Sequence, residues 1–334
     1  MLKYVVRRLI AAIPVLFGLS IVVFAFVHLL PGDPVAALLG QHATPQLTEQ
    51  IRRQMGLDQP LYSQYLIYLG QLASFDLGKS VINNRPVVDE LARRFPATIE
   101  LSAAALLFAI GLGIPLGRLA ARHAQQWPDA VVTVISLLGI SIPIFVLGYT
   151  LQFAFGATLQ WLPASGRINP RLGIEAVTGF MLIDTLIAGK PAAFFDATRS
   201  LILPAIALGS IPFAIITRIT RASVLDVANE DYVRTARAKG LAERRVNDRH
   251  IMRNAWLPVV TVIGLQVGGL LAGAVITETV FSWSGVGSYI VNAIQDHDYL
   301  VVQSTILVFA TIFLVVNLVV DITYAFLNPR IRYS

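Results

Sequence analysis

The sequence predicts an all-α integral membrane protein with six transmembrane helices. Of its 334 residues, 55% are hydrophobic and only 14% are charged, whereas a soluble domain usually carries about 25% charged residues. Several long apolar runs alternate with polar loops, and the mean hydropathy is +0.67. A helix needs roughly 20 apolar residues to cross the bilayer core. A chain of this length holds six such spans and their loops, so we expect it to lie in the lipid bilayer.

The spans differ in the strength of their signal. The first, fifth and sixth are the clearest, because each is a long run without a formal charge. The second and fourth are shorter, and the fourth contains Pro204 and Pro212, which membrane helices tolerate. The third is long enough to tilt or to enter a re-entrant segment, with a kink at Pro143. The predicted spans are Leu9–Leu30, Ala97–Gly117, Ala130–Leu159, Ser200–Thr217, Ala255–Thr277 and Tyr299–Val320.

The distribution of basic residues predicts the orientation. Six spans place both termini on one side of the membrane, and the loops on that side are shorter yet hold most of the lysines and arginines. The positive-inside rule therefore places both termini and the loop Arg218–Asn254 in the cytoplasm. The apolar segment Ala176–Gly189 is short for a span, and we interpret it as an interfacial or buried helix. If it crossed the membrane, the loop assignments would be reversed.

The loop over residues 31–96 is predicted to lie outside the cell membrane and to be structured. The amphipathic pattern of Leu47–Met55 and the tyrosine-containing run Leu61–Leu72 indicate short helices packed on the membrane face. Ala73–Ser80 is close to a phosphate-binding loop but lacks its first glycine and the strand–loop–helix setting that this function needs. We therefore expect no nucleotide to bind there.

The loop Arg218–Asn254 is different in kind, because it carries a large share of the basic residues. Ala222–Lys239 is rich in helix formers and is predicted to be one helix. Gly240 follows it and can adopt the positive φ that ends a helix. A second helical piece, Glu243–Asn254, leads into Pro258 and the fifth span. A solvated loop that only enforces topology is one interpretation. An arginine-rich amphipathic helix that lies in the groove of a partner is the other.

Small and polar residues recur within the spans. Glycines at four-residue spacing let helices approach closely; these pairs are Gly113/Gly117, Gly264/Gly268 and Gly269/Gly273. Polar groups within or beside a span are candidate translocation-pathway residues. Solvation at the interface and hydrogen bonds between helices are the structural alternatives for them. The candidates are Glu100, Gln266, Glu278, Asn317 and Asp321.

Enzymatic and metal-binding functions are not indicated. The chain has no cysteine, and its five histidines are scattered without the spacing of metal ligands. No nucleophile, base and oxyanion pocket can be assembled, so we predict no catalytic residues, no metal and no cofactor. The basic residues lie beside apolar spans, which indicates a membrane protein rather than a partner of nucleic acid.

Two motifs in the cytoplasmic loop make the chain recognisable. Thr235–Leu241 and His250–Pro258 resemble the cytoplasmic signature of binding-protein-dependent ABC importer permeases of the peptide/nickel branch. Arg234 stands where the general signature has an acidic residue, and Ser284 stands where the branch has proline. The resemblance extends over nearly the whole chain and is greatest to the B-type permease subunits of dipeptide importers. Further matching segments are Leu2–Arg8, Leu30–Pro34, Gly179–Thr185, Thr277–Trp283 and Asn328–Arg332.

The resemblance implies the type I ABC importer permease fold and a bacterial inner-membrane location. Residues 1–30 would form the cytoplasmic N-terminus and first helix, 31–96 a periplasmic loop region, and 97–334 a permease core with five spans and the coupling loop 218–254. The implied partners are a second homologous permease, two ABC ATPase subunits that hydrolyse ATP, and a periplasmic substrate-binding protein. The residues implied to couple to an ATPase are Asp231, Tyr232, Arg234, Ala236, Arg237, Lys239, Gly240 and Leu241.

Import of dipeptides is the function that the resemblance implies. The same machine carrying oligopeptides, glutathione, haem or nickel chelates is the alternative within this class. A secondary transporter or channel that works alone is the alternative from another class. That alternative predicts internal repeats and ionisable residues at the middle of the spans, and the sequence shows neither.

Overall fold

The computed structural model describes residues 2–29, 44–54, 56, 58–74 and 76–327. Over these residues the chain is almost entirely helical, and its only extended pairing is an isolated antiparallel bridge between Lys79 and Pro86. The motifs Leu30–Pro34 and Asn328–Arg332 lie outside the described residues, and so does Met55. The predicted all-α fold is confirmed for the part that is described.

The helices follow one another with short connections. They are α1 (Leu2–Leu29), α2 (Pro45–Gln54), α3 (Leu61–Ala73), α4 (Val87–Arg122), α5 (Trp127–Ser141), α6 (Ile144–Leu151), α7 (Met181–Ile187), α8 (Pro191–Ala228), α9 (Asp231–Ala238), α10 (Glu243–Arg245), α11 (Arg253–Val280), α12 (Val286–Gln295) and α13 (Tyr299–Leu327). Two π-helical segments, π1 (Gln152–Thr158) and π2 (Val246–Met252), and a 3₁₀ turn at Pro170–Leu172 complete the described helical structure.

Five helical stretches are long and apolar enough to cross a membrane. They are Val6–Phe26, Val87–Arg122, Pro191–Ala228, Glu243–Val280 and Tyr299–Val320. The third predicted span is a broken pair, Trp127–Ser141 and Ile144–Thr158, which is bent by 106°. The break lies at Ile142 and Pro143, where proline has no N–H to donate and pushes the residue before it out of the helical region. The predicted kink is confirmed, and the pair raises the number of spans to six if it crosses once.

Two compact units are distinguished. The first contains Ala97–Trp283 and the chain from Val316 onward. Helix α8 is its centre, since 78% of its most apolar 18-residue stretch is buried. Its core includes Leu101, Leu208 and Leu270, contributed by α4, α8 and α11. This burial explains why prolines at two positions of α8 do not prevent it from forming a continuous helix.

Glycines set the distance between α4 and α8. A Cβ atom at Gly117 would lie 2.6 Å from the carbonyl oxygen of Thr217, and one at Gly113 would lie 3.1 Å from Ile216. The tight packing predicted for this glycine pair is confirmed. Gly269 differs, because no atom lies within 4 Å of the position that its Cβ would take.

The second unit contains Leu2–Pro96 and Ser284–Val315. Helices α2 and α3 confirm the two short helices predicted in the loop after the first span. In the turn before α4, the hydroxyl of Ser80 donates to Asp298 at 2.6 Å, and a Cβ at Gly78 would meet Leu300 at 2.5 Å. The residues that resemble a phosphate-binding loop thus form a turn packed against the start of α13.

The segment Ala176–Gly189 is helical only over Met181–Ile187, so the predicted helix is shorter than expected. Its polar residue Asp184 is 1% exposed and accepts hydrogen bonds from the N–H groups of Thr178 at 2.8 Å and Gly179 at 3.0 Å. Because the carboxylate binds the backbone of the preceding turn, that turn cannot also be helical. The segment is not among the stretches long enough to span a membrane.

Candidate functional site

The loop between α8 and α11 folds into a compact helical unit. Ala222–Lys239 was predicted as one helix, and this is wrong: α8 ends at Ala228, and α9 begins at Asp231. Glu230, between them, has an extended backbone with ψ of 145°, which interrupts the helical hydrogen bonds. The interruption lets α9 turn back toward the end of the bundle. The second predicted piece, which starts at Glu243, is confirmed and runs without a break through π2 into α11.

Helix α9 is amphipathic and rests on a small apolar core. Val233 is fully buried and Ala236 is 5% exposed, while the polar residues around them face outward. The core joins the ends of α4 and α8 to π2 and the start of α11. Its buried members are Ala121, Val224, Val233, Ala236, Val246, Ile251, Met252 and Ala255. The loop is therefore anchored by apolar burial and is more than a solvated connection.

Gly240 ends α9 in the left-handed region, with φ of 73°. Its N–H donates to the carbonyl of Arg237 at 2.9 Å, and the N–H of Leu241 donates to the carbonyl of Ala236 at 3.4 Å. This closure brings the side chain of Leu241 back onto the apolar core. No atom lies within 4 Å of the position that a Cβ at Gly240 would occupy. The requirement for glycine is thus conformational, because few other residues adopt a positive φ without strain.

Two polar links tie α9 to the helix that follows it. The Arg237 guanidinium donates to both carboxylate oxygens of Glu243, at 3.2 and 2.9 Å. These hydrogen bonds raise the pKa of Arg237 above its ordinary value. At the other end of α9, the Tyr232 hydroxyl accepts from the Asn254 amide at 2.8 Å and donates to the carbonyl of His250 at 3.5 Å. Helix α9 is therefore fixed to its neighbour at both ends.

Two further ion pairs connect this end of the bundle. Arg118, near the end of α4, donates to Asp248 of π2 at 2.7 Å. Arg221 of α8 binds both carboxylate oxygens of Asp129 in α5, at 2.5 and 2.7 Å, and Asp129 is 5% exposed. These links were missed at the level of sequence, since the partners are far apart in the chain and nothing in one sequence pairs them.

The outward face of α9 is charged and exposed. Asp231 and Arg234 pair with each other at 3.3 Å, and their side chains are 96% and 70% exposed. Thr235 and Lys239 are also exposed. A groove of about 630 Å³ lies between the ends of α4 and α8, Arg237 of α9 and the helix that follows, and both apolar residues such as Val224 and charged residues line it. A charged helix face on a fixed base is suited to contact a soluble protein.

Among the candidate pathway residues, Glu100 is fully engaged. Arg167 donates to it at 2.7 Å, and the N–H of Leu182 donates to its other oxygen at 2.8 Å. Arg167 also donates to the carbonyl of Gly179 at 2.8 Å and lies over the ring of Trp283, 5.5 Å from the centroid. Glu100 thus holds the segment before α7 against α4. Arg167 was not singled out from the sequence, because a lone arginine in a loop carries no signal.

The remaining candidates occupy different settings. Glu278 is fully buried and accepts the hydroxyl of Thr98 at 2.6 Å. Gln266 and Asn317 are half-buried on α11 and α13. Asp321 belongs to α13, but its side chain lies outside the described residues. The part of these five residues in translocation stays a prediction.

Comparison with known proteins identifies the family. The model of the binding-protein-dependent transport system inner membrane component matches residues 113–333. The model of the N-terminal part of such membrane components matches residues 1–102. Together these matches cover both the helical bundle and the region before it.

Three relatives are similar over their full length, each with 100% of both chains covered. The Di/tripeptide transport system permease protein DppB of Pseudomonas aeruginosa (strain UCBPP-PA14) is 50% identical over 335 residues. The Dipeptide transport system permease protein DppB of Escherichia coli (strain K12) is 47% identical over 338 residues. The Glutathione transport system permease protein GsiC of Escherichia coli O6:H1 is 42% identical over 334 residues. This chain therefore belongs to the family of inner membrane components of binding-protein-dependent transport systems, and it has the all-helical fold of a type I ABC importer permease.

Proposed function

We propose that this chain is a transmembrane permease subunit of an ATP-driven, binding-protein-dependent importer for dipeptides. In this proposal it forms the translocation pathway together with a second homologous permease. Two ABC ATPase subunits supply the energy, and a periplasmic binding protein delivers the substrate. The chain itself carries out no hydrolysis.

The observation that carries the proposal is the construction of the loop between α8 and α11. Its outward residues are charged and exposed, while its inward residues bury an apolar core that joins α4, α8 and α11. A force applied to α9 from outside is transmitted to those three helices, because close-packed interiors move as units. ATP-driven movement of an ATPase that holds α9 would thus reorient the bundle, as in rigid-body switching between alternating states.

The coupling residues have separate roles in this proposal. Asp231, Arg234 and Lys239 offer charges to the ATPase, and Ala236 and Leu241 anchor the helix on the core. Tyr232 and Arg237 link α9 to the helix that follows. Gly240 closes the turn.

Dipeptides are proposed as the substrate because the two DppB relatives, at 50% and 47% identity, are named for di/tripeptide and dipeptide transport. Glutathione is the alternative, since a relative named for it is 42% identical. The proposed orientation has both termini and the α9 loop in the cytoplasm. Residues 1–30, 31–96 and 97–334 then form the first helix with its cytoplasmic end, the periplasmic region and the permease core.

A pull-down from native membranes tests the proposal. The tagged full-length chain is extracted in mild detergent, and the proteins that accompany it are identified. We expect a second permease and two ATPase subunits. When residues 228–240 are replaced by a Gly/Ser linker of equal length, we expect the ATPases to be lost while the second permease is retained. A chain that purifies alone and still moves solute would overturn the proposal and indicate a stand-alone transporter.

A further inference from the structure

The helix that joins the loop to the bundle changes its geometry at π2. Residues Val246–Met252 form a π-helix, in which hydrogen bonds connect residues five apart, and this segment lies between α10 and α11. Such segments are rare, and many occur at functional sites. A stretch of seven residues in this conformation, next to the proposed ATPase contact, requires a structural explanation.

The burial pattern agrees with the π geometry. Val246 and Ile251 are five residues apart, and both are fully buried in the same apolar core, at 0% and 1% exposure. In an α-helix, residues five apart point about 140° away from each other. Beyond Ile251 the buried positions Ala255 and Val259 follow at the ordinary four-residue spacing. Between Val246 and Ile251 the chain thus has one residue more than the four-residue spacing of an α-helix.

Two asparagines bind backbone carbonyl groups just before π2 and within it. The Asn247 amide donates to the backbone carbonyl of Glu243 at 2.9 Å, and the Asn254 amide donates to the carbonyl of His250 at 3.0 Å. Each amide reaches the carbonyl four residues earlier, which is the group that an α-helical N–H would otherwise bind. The two amides thus bind the backbone just before π2 and within it, so both tie down the segment that contains the extra residue.

Helix α9 is linked to the same two asparagines and to the groups that they bind. Arg237 binds the Glu243 carboxylate, to which the Asn247 amide also donates at 3.3 Å. Tyr232 binds both the Asn254 amide and the carbonyl of His250. Displacement of α9 therefore acts on the beginning and on the end of π2 together.

We propose that Asn247 and Asn254 are positioning residues for coupling: they hold π2 in its five-residue register, and this register sets the direction in which movement of α9 is delivered to α11. The inference rests on the proposed coupling role of α9. Conversion of π2 to α-helical geometry would shift one residue out of the widened turn. The loop would then rotate relative to α11 by about 100°. Helix α9 would then face the ATPase in a different direction.

Deletion of Arg249 is the most direct test. Arg249 is exposed, and its removal places Val246 four residues from the present Ile251, which restores an α-helical apolar spacing. We expect the deletion variant to fold with its apolar core intact and to lack the π register. In proteoliposomes containing the complete transporter, we expect the number of ATP molecules hydrolysed per dipeptide imported to rise several-fold, since the loop that carries α9 is rotated by about 100° relative to α11. The control is Arg249→Ala, which keeps the length and should keep the ratio.

A second pair of variants examines the asparagine amides. Asn254→Asp preserves size and removes the donor, and Asn229→Asp is the matched control on an exposed residue of the same loop. Since the chain has no cysteine, Val246→Cys reports the register. It should be protected from a maleimide in the control and reactive in the Asn254→Asp background.

The outcomes separate the two proposals. If the Arg249 deletion variant imports dipeptides with the ordinary ATP ratio, or if residue 246 stays protected in Asn254→Asp, the register inference is wrong while the coupling role of α9 stands. If the ATPases do not accompany even the unchanged chain, the proposed function itself fails. A deletion variant that does not fold would also contradict the inference, because the inference requires an intact α-helical core.

Discussion

At the scale of single residues, Gly240 has a strict conformational requirement, and the pair of Arg167 and Glu100 has a strict charge requirement. Gly240 is needed for its φ of 73° and has open space where a side chain would stand. Arg167 and Glu100 form an ion pair with side chains only 12% and 7% exposed. Removing one member of a buried pair leaves an uncompensated charge, which is far more destabilising than the loss of an exposed pair. Residues of these two kinds tolerate little change, for different physical reasons.

Substitution of Gly240 separates conformation from packing. Gly240→Val places a β-branched residue in the left-handed region, at a cost of about 1–3 kcal/mol. We expect the variant to insert in the membrane and the transporter that contains it to hydrolyse ATP without proportionate import, because the closure of α9 is distorted. Gly240→Asn is the control, since asparagine tolerates this region. The measurement is ATP hydrolysed per dipeptide imported in proteoliposomes. Equal ratios for the valine variant, the asparagine variant and the unchanged chain would contradict the role of Gly240.

At the scale of elements, helix packing depends on backbone contact at few positions. Helices α4 and α8 approach so closely at Gly117 that the carbonyl of Thr217 fills the space of a side chain. Helix α9 depends instead on two inward residues and on its polar links to the helix that follows. The broken third span depends on Pro143, which ends one helix and caps the next. Each element is thus stable through a few contacts that can be tested separately.

Two glycines on α4 provide a matched comparison. At Gly117 a Cβ would lie 2.6 Å from a backbone oxygen, whereas at Gly111 nothing lies within 4 Å. Gly117→Ala should destabilise the protein by about 1–3 kcal/mol, since the helices must separate to admit the methyl group. Gly111→Ala should be neutral or stabilise it by about 0.4–1 kcal/mol through helix propensity and a less flexible unfolded chain. The melting temperature in detergent measures both. Equal shifts for the two variants would show that the close approach is absent.

At the scale of the whole molecule, the number of times that the chain crosses the membrane determines on which side each loop lies. Five stretches are long and apolar enough to span the membrane, and the side on which each later loop lies depends on whether the bent pair Trp127–Thr158 crosses it. If the pair crosses once, the loops before and after it lie on opposite sides. The concentration of basic residues in the α8–α11 loop then predicts that α9 lies in the cytoplasm.

Single-cysteine labelling of the naturally cysteine-free chain tests this parity. Gln125 precedes the bent pair, Glu175 follows it, and both are exposed. In intact cells, we expect Glu175→Cys to react with a membrane-impermeant maleimide and Gln125→Cys to react only after the membrane is opened. Arg234→Cys is the cytoplasmic reference and should behave like Gln125→Cys. Labelling of both loop positions from the same side would show that the pair is re-entrant. The predicted orientation of the chain on one side of the pair would then be reversed.

The sequence by itself determined the fold class, the family and the location of the loop that is proposed for coupling. Apolar runs are local, and hydrocarbon requires each to form its own helix, so the spans and the kink at Pro143 were predictable. The helices α2 and α3 and the closing role of Gly240 followed from amphipathic spacing and turn chemistry in the same way.

Only the tertiary structure decided how polar residues pair. Arg167 with Glu100 and Arg221 with Asp129 join segments far apart in the chain, and one sequence contains no information on such distances. The break at Asn229–Glu230 was missed because helix propensity favours continuity, whereas burial of Val233 and Ala236 requires the chain to turn. The five-residue spacing of Val246 and Ile251 was visible in the sequence, yet it became meaningful only once both were seen in one core. Local propensity predicts where helices form, and tertiary packing decides where they are interrupted. The free energy of apolar burial outweighs the small differences in local helix propensity.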